Sequence, residues 1–244
     1  MVRIMTYNVH RCVGVDRRLD VGRVAAVIAQ GRPDVVALQE LDVRRARTGM
    51  VDQAHAIAHR LGMNFHFHAA LQVEEERYGD AILTAAPHRV IKAAGLPGWP
   101  AVRGLEPRGA LWLELELGAR RLQVLNTHLG LTPPEQRAQA RALVGPDWLG
   151  ARRPGDPPLV ALGDFNATPY AYAHRVLTGR LHDARRAAGK PLGAPTFPSR
   201  FPVLAIDHVF VEGALAVAGV RVVSGPLARI ASDHLPLVVD VDFT

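Results

Sequence analysis

The sequence predicts an α/β protein of α+β arrangement, in which mixed β-sheets are faced with helices, and three observations predict it. Apolar segments of strand length outnumber segments with helical spacing, and the helical segments lie between the strands. No repeat, linker or low-complexity boundary divides the 244 residues, so a single domain over residues 1–244 is expected.

The first strand runs over Val2 to Val9 and delivers Asn8 at its end. Arg23 to Gln30 follows as an amphipathic helix on Val24, Val27 and Ile28, closed by Gly31, and Pro33 ends helical geometry. Asp34 to Glu40 is a second buried strand, apolar until its last residues. A carboxylate placed there, Glu40, is costly unless it is solvated, paired or bound to metal. Asp52 to Leu61 reads as a helix stopped by Gly62, and Asn64 to Leu71 and Gly79 to Thr84 read as strands.

Ala94 to Gly109 is a Gly/Pro-rich loop carrying Trp99, Arg103, Glu106 and Arg108, either a substrate-contacting element or a plain surface loop. Ala110 to Leu117 and Arg120 to Asn126 form a hairpin around Gly118-Ala119, which leads into Asn126-Thr127-His128-Leu129. Pro133 to Val144 is helical, and Pro158 to Leu162 is a buried strand feeding Gly163-Asp164-Phe165-Asn166-Ala167-Thr168-Pro169. A short helix is expected over Ala171 to Leu177, then a loop over Gly189 to Pro202 with an edge strand at Thr196-Phe197. Strands over Leu204 to Val211, with Asp207 early in it, Leu215 to Val223 and Leu237 to Val241 complete the chain; Asp233 and His234 precede the last.

The formal net charge of +6 and pI near 10.2 favour an anionic partner: nucleic acid, an anionic membrane surface or a phosphorylated small molecule. The arginines are scattered, Lys92 and Lys190 are the only lysines, and the cluster Arg44-Arg45-Ala46-Arg47 reads as a solvated loop. No apolar run reaches the roughly 18 residues a membrane helix needs, and the N-terminus begins directly as a strand. A soluble, cytoplasmic protein is the expectation. The single cysteine, Cys12, excludes an internal disulfide framework and lends no support to a thiolate metal site.

Polar residues at strand ends form the informative set: Asn8, Glu40, His128, Asp164, Asn166, Asp207, Asp233 and His234. Asp164 and Asn166 alternate along an extended segment, so both side chains leave one face and suit a metal-bound water and a developing phosphoryl oxyanion. The same tripeptide is also an ordinary turn. Buried polar groups need mutual partners, which makes the whole set harder to explain singly than together.

The motifs Thr6-Tyr7-Asn8-Val9-His10, Leu38-Gln39-Glu40, Asn126-Thr127-His128-Leu129, Gly163-Asp164-Phe165-Asn166, Ile206-Asp207-His208 and Ser232-Asp233-His234-Leu235-Pro236 occur in this order over nearly the whole chain. In that respect the chain resembles the endonuclease/exonuclease/phosphatase superfamily of metal-dependent phosphoesterases. The resemblance implies a four-layer αββα sandwich of two mixed β-sheets flanked by helices, with the site at one end. It assigns Glu40 as principal ligand of Mg²⁺, or of Mn²⁺, with Asn8 and Asp233 nearby, an oxygen set that suits a hard cation. It pairs His234 with Asp207, gives Asp164 the attacking water and gives Asn166 the phosphoryl oxygens. His128 matches the histidine of the nuclease, sphingomyelinase and 5-phosphatase branches, which AP endonucleases lack, and would contact or protonate a phosphate oxygen. Arg108 resembles an arginine placed just before the hairpin strand, a fork for phosphate or else a surface ion pair. Many relatives carry Asn where this chain has Asp80, which is either a second metal contact or turned away.

The implied activity is metal-dependent hydrolysis of a phosphoester, a phosphodiester in preference to a monoester, by in-line attack of water. Without a dense basic stripe interleaved with aromatics, a lipid or other small phosphodiester is favoured over nucleic acid. A DNase I-like nuclease and a non-catalytic phosphate-binding protein of the same fold are the alternatives. Thr196 to Pro202 is either an apolar-plus-Arg rim for a lipid headgroup or a Pro-stiffened loop packing Phe197 and Phe201 inward.

Overall fold

Alternation along each central strand decides the layering. In the strand β1 (Val2–Asn8), Ile4 faces one core while Met5 and Tyr7 face another, so β1 is covered on both sides. A computed structural model describes residues 1–98, 104–189 and 195–244 and contains two six-stranded mixed sheets. The first joins β1 to β2 (Val35–Val43), β3 (Asn64–Val73), β4 (Glu76–Thr84), β11 (Leu215–Val222) and β12 (Leu237–Phe243), in the order β11-β12-β1-β2-β4-β3. The second comprises β5 (His88–Gly95), β6 (Gly109–Leu117), β7 (Arg120–His128), β8 (Leu159–Asp164), β9 (His182–Asp183) and β10 (Asp207–Glu212), in the order β5-β6-β7-β8-β10-β9.

The sheets stack through Ile4, Ala37, Ile82, Leu113, Val160 and Val239. On its far side the first sheet buries Met5, Tyr7 and Val36 against helices α1 (Val21–Gly31) and α2 (Gln53–Leu61). The second buries Trp112, Leu125 and Phe210 against α3 (Pro133–Val144) and α4 (Tyr172–Thr178). Four layers, αββα, result. Asp20 and Asp52 cap α1 and α2 through their carboxylates, and Thr132 with Glu135 forms a capping box ahead of Pro133 in α3. No helix among the described residues is long and apolar enough to cross a membrane.

Several elements differ from the sequence reading. The strand expected from Leu204 starts at Asp207, because Leu204 turns back to pair with Phe197 in an isolated bridge, and that bridge is all that forms of the edge strand at Thr196-Phe197. β5, the short β9 and the one-turn helices α5 (Ala184–Ala187) and α6 (Ala228–Ala231) were not anticipated; they are too short or too mixed in polarity to carry a period. Of the loop over Ala94 to Gly109, Trp99 and Arg103 lie outside the described residues. Arg44 forms a solvated ion pair with Glu75, whereas Arg45 pairs with Glu76 and Arg47 anchors the loop on the buried Asp42, so the cluster is only in part the solvated loop expected. Cys12 is buried.

Candidate active site

Along the inner faces, apolar residues give way to polar ones toward one end of the sandwich. Ile4 and Thr6 are followed by Asn8, Val124 and Asn126 by His128, and Val160 and Leu162 by Asp164, each two residues apart. Register then brings two of these, His128 and Asp164, together with Asp207. β7 and β8 run parallel with His128 opposite Asp164, while β8 and β10 run antiparallel with Asp207 opposite Asp164. Asn126 bridges the sheets below, donating to the carbonyls of Leu38 and Ala81 and accepting from Gln39 at 2.7 Å. The polar end is thereby fixed from beneath.

Asp164 is the hub. Its Oδ2 accepts from Asn8 Nδ2 at 2.9 Å and lies 3.5 Å from His128 Nε2 and 3.6 Å from His234 Nε2. Burial pushes its pKa up to about 7, with Asp207 adding to the rise and His234 opposing it. His234 Nδ1 bonds Asp207 Oδ2 at 2.9 Å. Burial disfavours the charged imidazole, but the carboxylates of Asp207 and Asp164 outweigh it and hold His234 up to about 10. His234 is therefore an imidazolium at neutral pH.

His128 has the opposite character: burial takes its pKa well below the ordinary value, and Arg108 and His234 add to the fall. Arg108, only 6% exposed, places Nη1 3.1 Å from His128 Nδ1. A guanidinium can only donate, so Nδ1 accepts and the proton of the neutral ring sits on Nε2. Arg108 is thus no surface ion pair, although Glu106 lies 3.5 Å from it. Asn166 meets the same point by a route other than the one expected. Its φ of 48° breaks the extended geometry, its backbone N–H caps Asp164 Oδ1 at 2.9 Å, and its Nδ2 stands 3.0 Å from His128 Nε2 and 3.0 Å from the Leu129 carbonyl. The tripeptide is thus a turn, and the turn sets Asn166 beside His128.

Glu40 owes its position to a bulge. Leu38 pairs with Ala81 and Leu41 with Gly79, so Gln39 and Glu40 together oppose Asp80, and Glu40 takes a φ of 61°. Its Oε1 accepts from Asn8 Nδ2 at 3.0 Å. Asp233 borders the group: it lies 3.9 Å from His10 Nδ1, and the His10 amide bonds Asn8 Oδ1 at 3.0 Å. Asp80 turns inward, is buried and accepts from the Glu40 backbone N–H; burial pushes its pKa up to about 7 against the pull of Arg108. The residues fit a divalent cation. Two carboxylates, Glu40 and Asp164, share one amide donor, and Asp164, Asp207 and His234 bring three ligand atoms within 4.8 Å of one another.

Some contributors carried no signal in the sequence. The Thr196 hydroxyl donates to Asp207 Oδ2 at 2.5 Å, and the Phe197 ring packs 4.9 Å from that of His234. Phe197 therefore packs inward as one reading of that loop held, whereas Phe201 is 79% exposed. Gln136 of α3 bonds the Asn166 carbonyl at 2.8 Å. Behind the site, His174, Asp183 and His208 bring three donor atoms within 4.8 Å of one another. His208, however, accepts from Arg185 Nη1 and donates to the Ala167 carbonyl, so both its nitrogens are committed and the group braces the loop that follows Asp164.

Known proteins share this architecture. The uncharacterised YbhP of Escherichia coli (strain K12) is 28% identical over 253 residues, covering 98% of this chain and 95% of YbhP. An endonuclease/exonuclease/phosphatase from Beutenbergia cavernae superposes with a TM-score of 0.77 at 23% identity, covering 99% of this chain and 71% of that one. A mannosyl-6-phosphatase from Bacteroides thetaiotaomicron superposes with a TM-score of 0.76 at 19% identity over the full length of both chains. The family profile described as Endonuclease/Exonuclease/phosphatase matches residues 5–234, from the strand that bears Asn8 to the imidazole of His234, and the chain belongs to that family.

Proposed function

We propose that the protein is a metal-dependent phosphoesterase that hydrolyses a phosphodiester by in-line attack of water. The observation that carries this reading is the convergence on Asp164 Oδ2 of an amide, a neutral imidazole N–H and an imidazolium, from Asn8, His128 and His234. A carboxylate raised to about 7 is suited to take a proton from water near neutrality. His128 Nε2 and Asn166 Nδ2 lie 3.0 Å apart beside Asp164, where they would contact a phosphoryl oxygen as its charge grows. His234, charged and fixed by Asp207, adds a full positive charge beside them. A divalent cation held by Glu40 with Asn8 and Asp233, Mg²⁺ or Mn²⁺, would neutralise charge on the phosphoryl and leaving oxygens.

The test is a panel of phosphodiesters and phosphomonoesters, with lipid, nucleic-acid and sugar-phosphate members, assayed with Mg²⁺ and with chelator. Chelator-sensitive diester turnover that Asp164→Asn and His234→Gln lower strongly, leaving measurable residual turnover, supports the proposal. Exclusive monoester turnover, the activity named for the Bacteroides mannosyl-6-phosphatase, moves the assignment to a phosphatase. Tight, metal-independent phosphate binding with no turnover favours a binding protein instead.

A further inference from the structure

Outside the buried centre, α3 and α4 gather positive charge that no acid answers. Arg137 and Arg141 are four residues apart and share one face of α3, and Arg175 lies in the last turn of the short α4. Their guanidinium carbons stand 4.7, 5.5 and 5.9 Å from the ring centroid of Tyr172. Arg141 donates to the Tyr172 hydroxyl at 2.7 Å and Arg175 to the Tyr170 carbonyl at 2.8 Å. Among the described residues none of the three forms an ion pair with a carboxylate. Ring contacts favour each cation, but three like charges around one ring repel one another, and an anion between them relieves that repulsion. The cleft there has a volume of about 590 Å³ and is lined by Pro133, Pro134, Arg137, Ala138, Arg141 and Tyr172.

The cleft adjoins the catalytic end. α3 starts just beyond His128, and Gln136, next to Arg137, bonds the carbonyls of Gly130 and Asn166. Tyr172 lies six positions after Asn166, a span of at most about 22 Å of chain. Tyr170, 71% exposed, lies between them.

We infer that Arg137, Arg141 and Arg175, gathered on Tyr172, form an accessory site for a second, non-scissile phosphate group of the substrate, an inference that rests on the phosphoesterase reading. Guanidinium forks match phosphate oxygens in pairs, which a single lysine does not. The second phosphate belongs to a flanking nucleotide of a single strand, because cations gathered on a part-exposed aromatic ring suit a chain that stacks its bases as well as pairing its phosphates; an anionic lipid headgroup is the competing outcome of the test.

The full chain and its R137Q/R141Q/R175Q variant are compared by three measurements, with the thermal midpoint as folding control. These are binding of a labelled oligothymidylate over a salt series, co-sedimentation with phosphatidylglycerol against phosphatidylcholine vesicles, and turnover of bis(p-nitrophenyl) phosphate, which has one phosphate. The expected result is a loss of about tenfold or more in affinity for the oligothymidylate and a salt slope smaller by about two. Turnover of the one-phosphate diester stays unchanged. Loss confined to the vesicles overturns the strand and assigns the site to an anionic lipid. Equal affinity of both proteins for both polyanions overturns the site. Loss of anion affinity in a protein that never turned over the diester keeps the site and rejects the phosphoesterase reading. If the triple variant unfolds, R137Q alone, which leaves the Arg141–Tyr172 and Arg175–Tyr170 bonds in place, repeats the comparison with a proportionally smaller slope change.

Discussion

Asp164 Oδ2 lies 3.6 Å from His234 Nε2, so a carboxylate raised to about 7 faces an imidazolium held to about 10. The pair is competent as carboxylate plus imidazolium, a state that exists between those two values. We expect kcat/KM to rise through about pH 7, level off, and fall toward pH 10. His234→Gln should remove the alkaline limb, and Asp164→Asn should lower activity by about 10³-fold or more. An alkaline limb that survives in His234→Gln would assign it to another group.

The Thr196 hydroxyl and His234 share Asp207 Oδ2, while Asp207 Oδ1 is buried with no partner among the described residues. Thr196→Val removes one of the two bonds that orient the carboxylate. Loss of an orienting partner of this kind costs roughly 10- to 100-fold in metal sites, and a similar fall in kcat with KM little changed is expected here. Steady-state kinetics decide it; an unchanged kcat would show that His234 alone fixes Asp207.

Asp80 makes a prediction about stability. Its carboxyl is buried and raised from 3.8 to about 7, so between those values the folded protein holds a proton the unfolded chain has released. Stability from this group is therefore intact below about pH 4, falls as pH rises and is fully lost above about 7. At pH 8 without metal, Asp80→Asn should stabilise the protein by an amount bounded at roughly 4 kcal/mol, and at pH 3 it should change little. Urea unfolding at the two pH values tests the sign. A destabilised variant at pH 8 would mean that Asp80 is answered by Arg108 in full.

Gly163 has a φ of 150°, and a Cβ there would stand 1.8 Å from the Thr127 carbonyl oxygen of the paired strand. Backbone cannot yield as a side chain end can. Gly163→Ala should therefore cost about 3 kcal/mol or more, read from the urea midpoint, and displace Asp164 from His128. Near-native stability would imply that β7 and β8 part easily.

Much of this was legible in the sequence because the sandwich alternates so regularly. Val160, Leu162 and Asp164 announce an inner face that turns polar at its end, and the same pattern repeats in β1 and β7. What could not be read was register: nothing local says that His128 and Asp207 flank Asp164 on either side. Thr196 was invisible because a lone hydroxyl in a Pro-rich loop has no period. The preference for lipid over nucleic acid rested on the lack of basic residues interleaved with aromatics, and two helices assemble such a group from Arg137, Arg141, Arg175 and Tyr172. Asn166 was placed on the correct side for an incomplete reason, since a left-handed turn carries it there.

The extra residue in β2 has a consequence for engineering. Removing one residue between Leu38 and Leu41 would give an unbroken ladder with β4, and by the usual rules of strand pairing a tougher protein. It would also either delete Glu40 or move its carboxylate into the inner-face place that Gln39 holds against Thr6 and Asn126, away from its present bond to Asn8. Regularity and reactivity are alternatives at this one position, so a stability screen that never measures turnover would select against the enzyme.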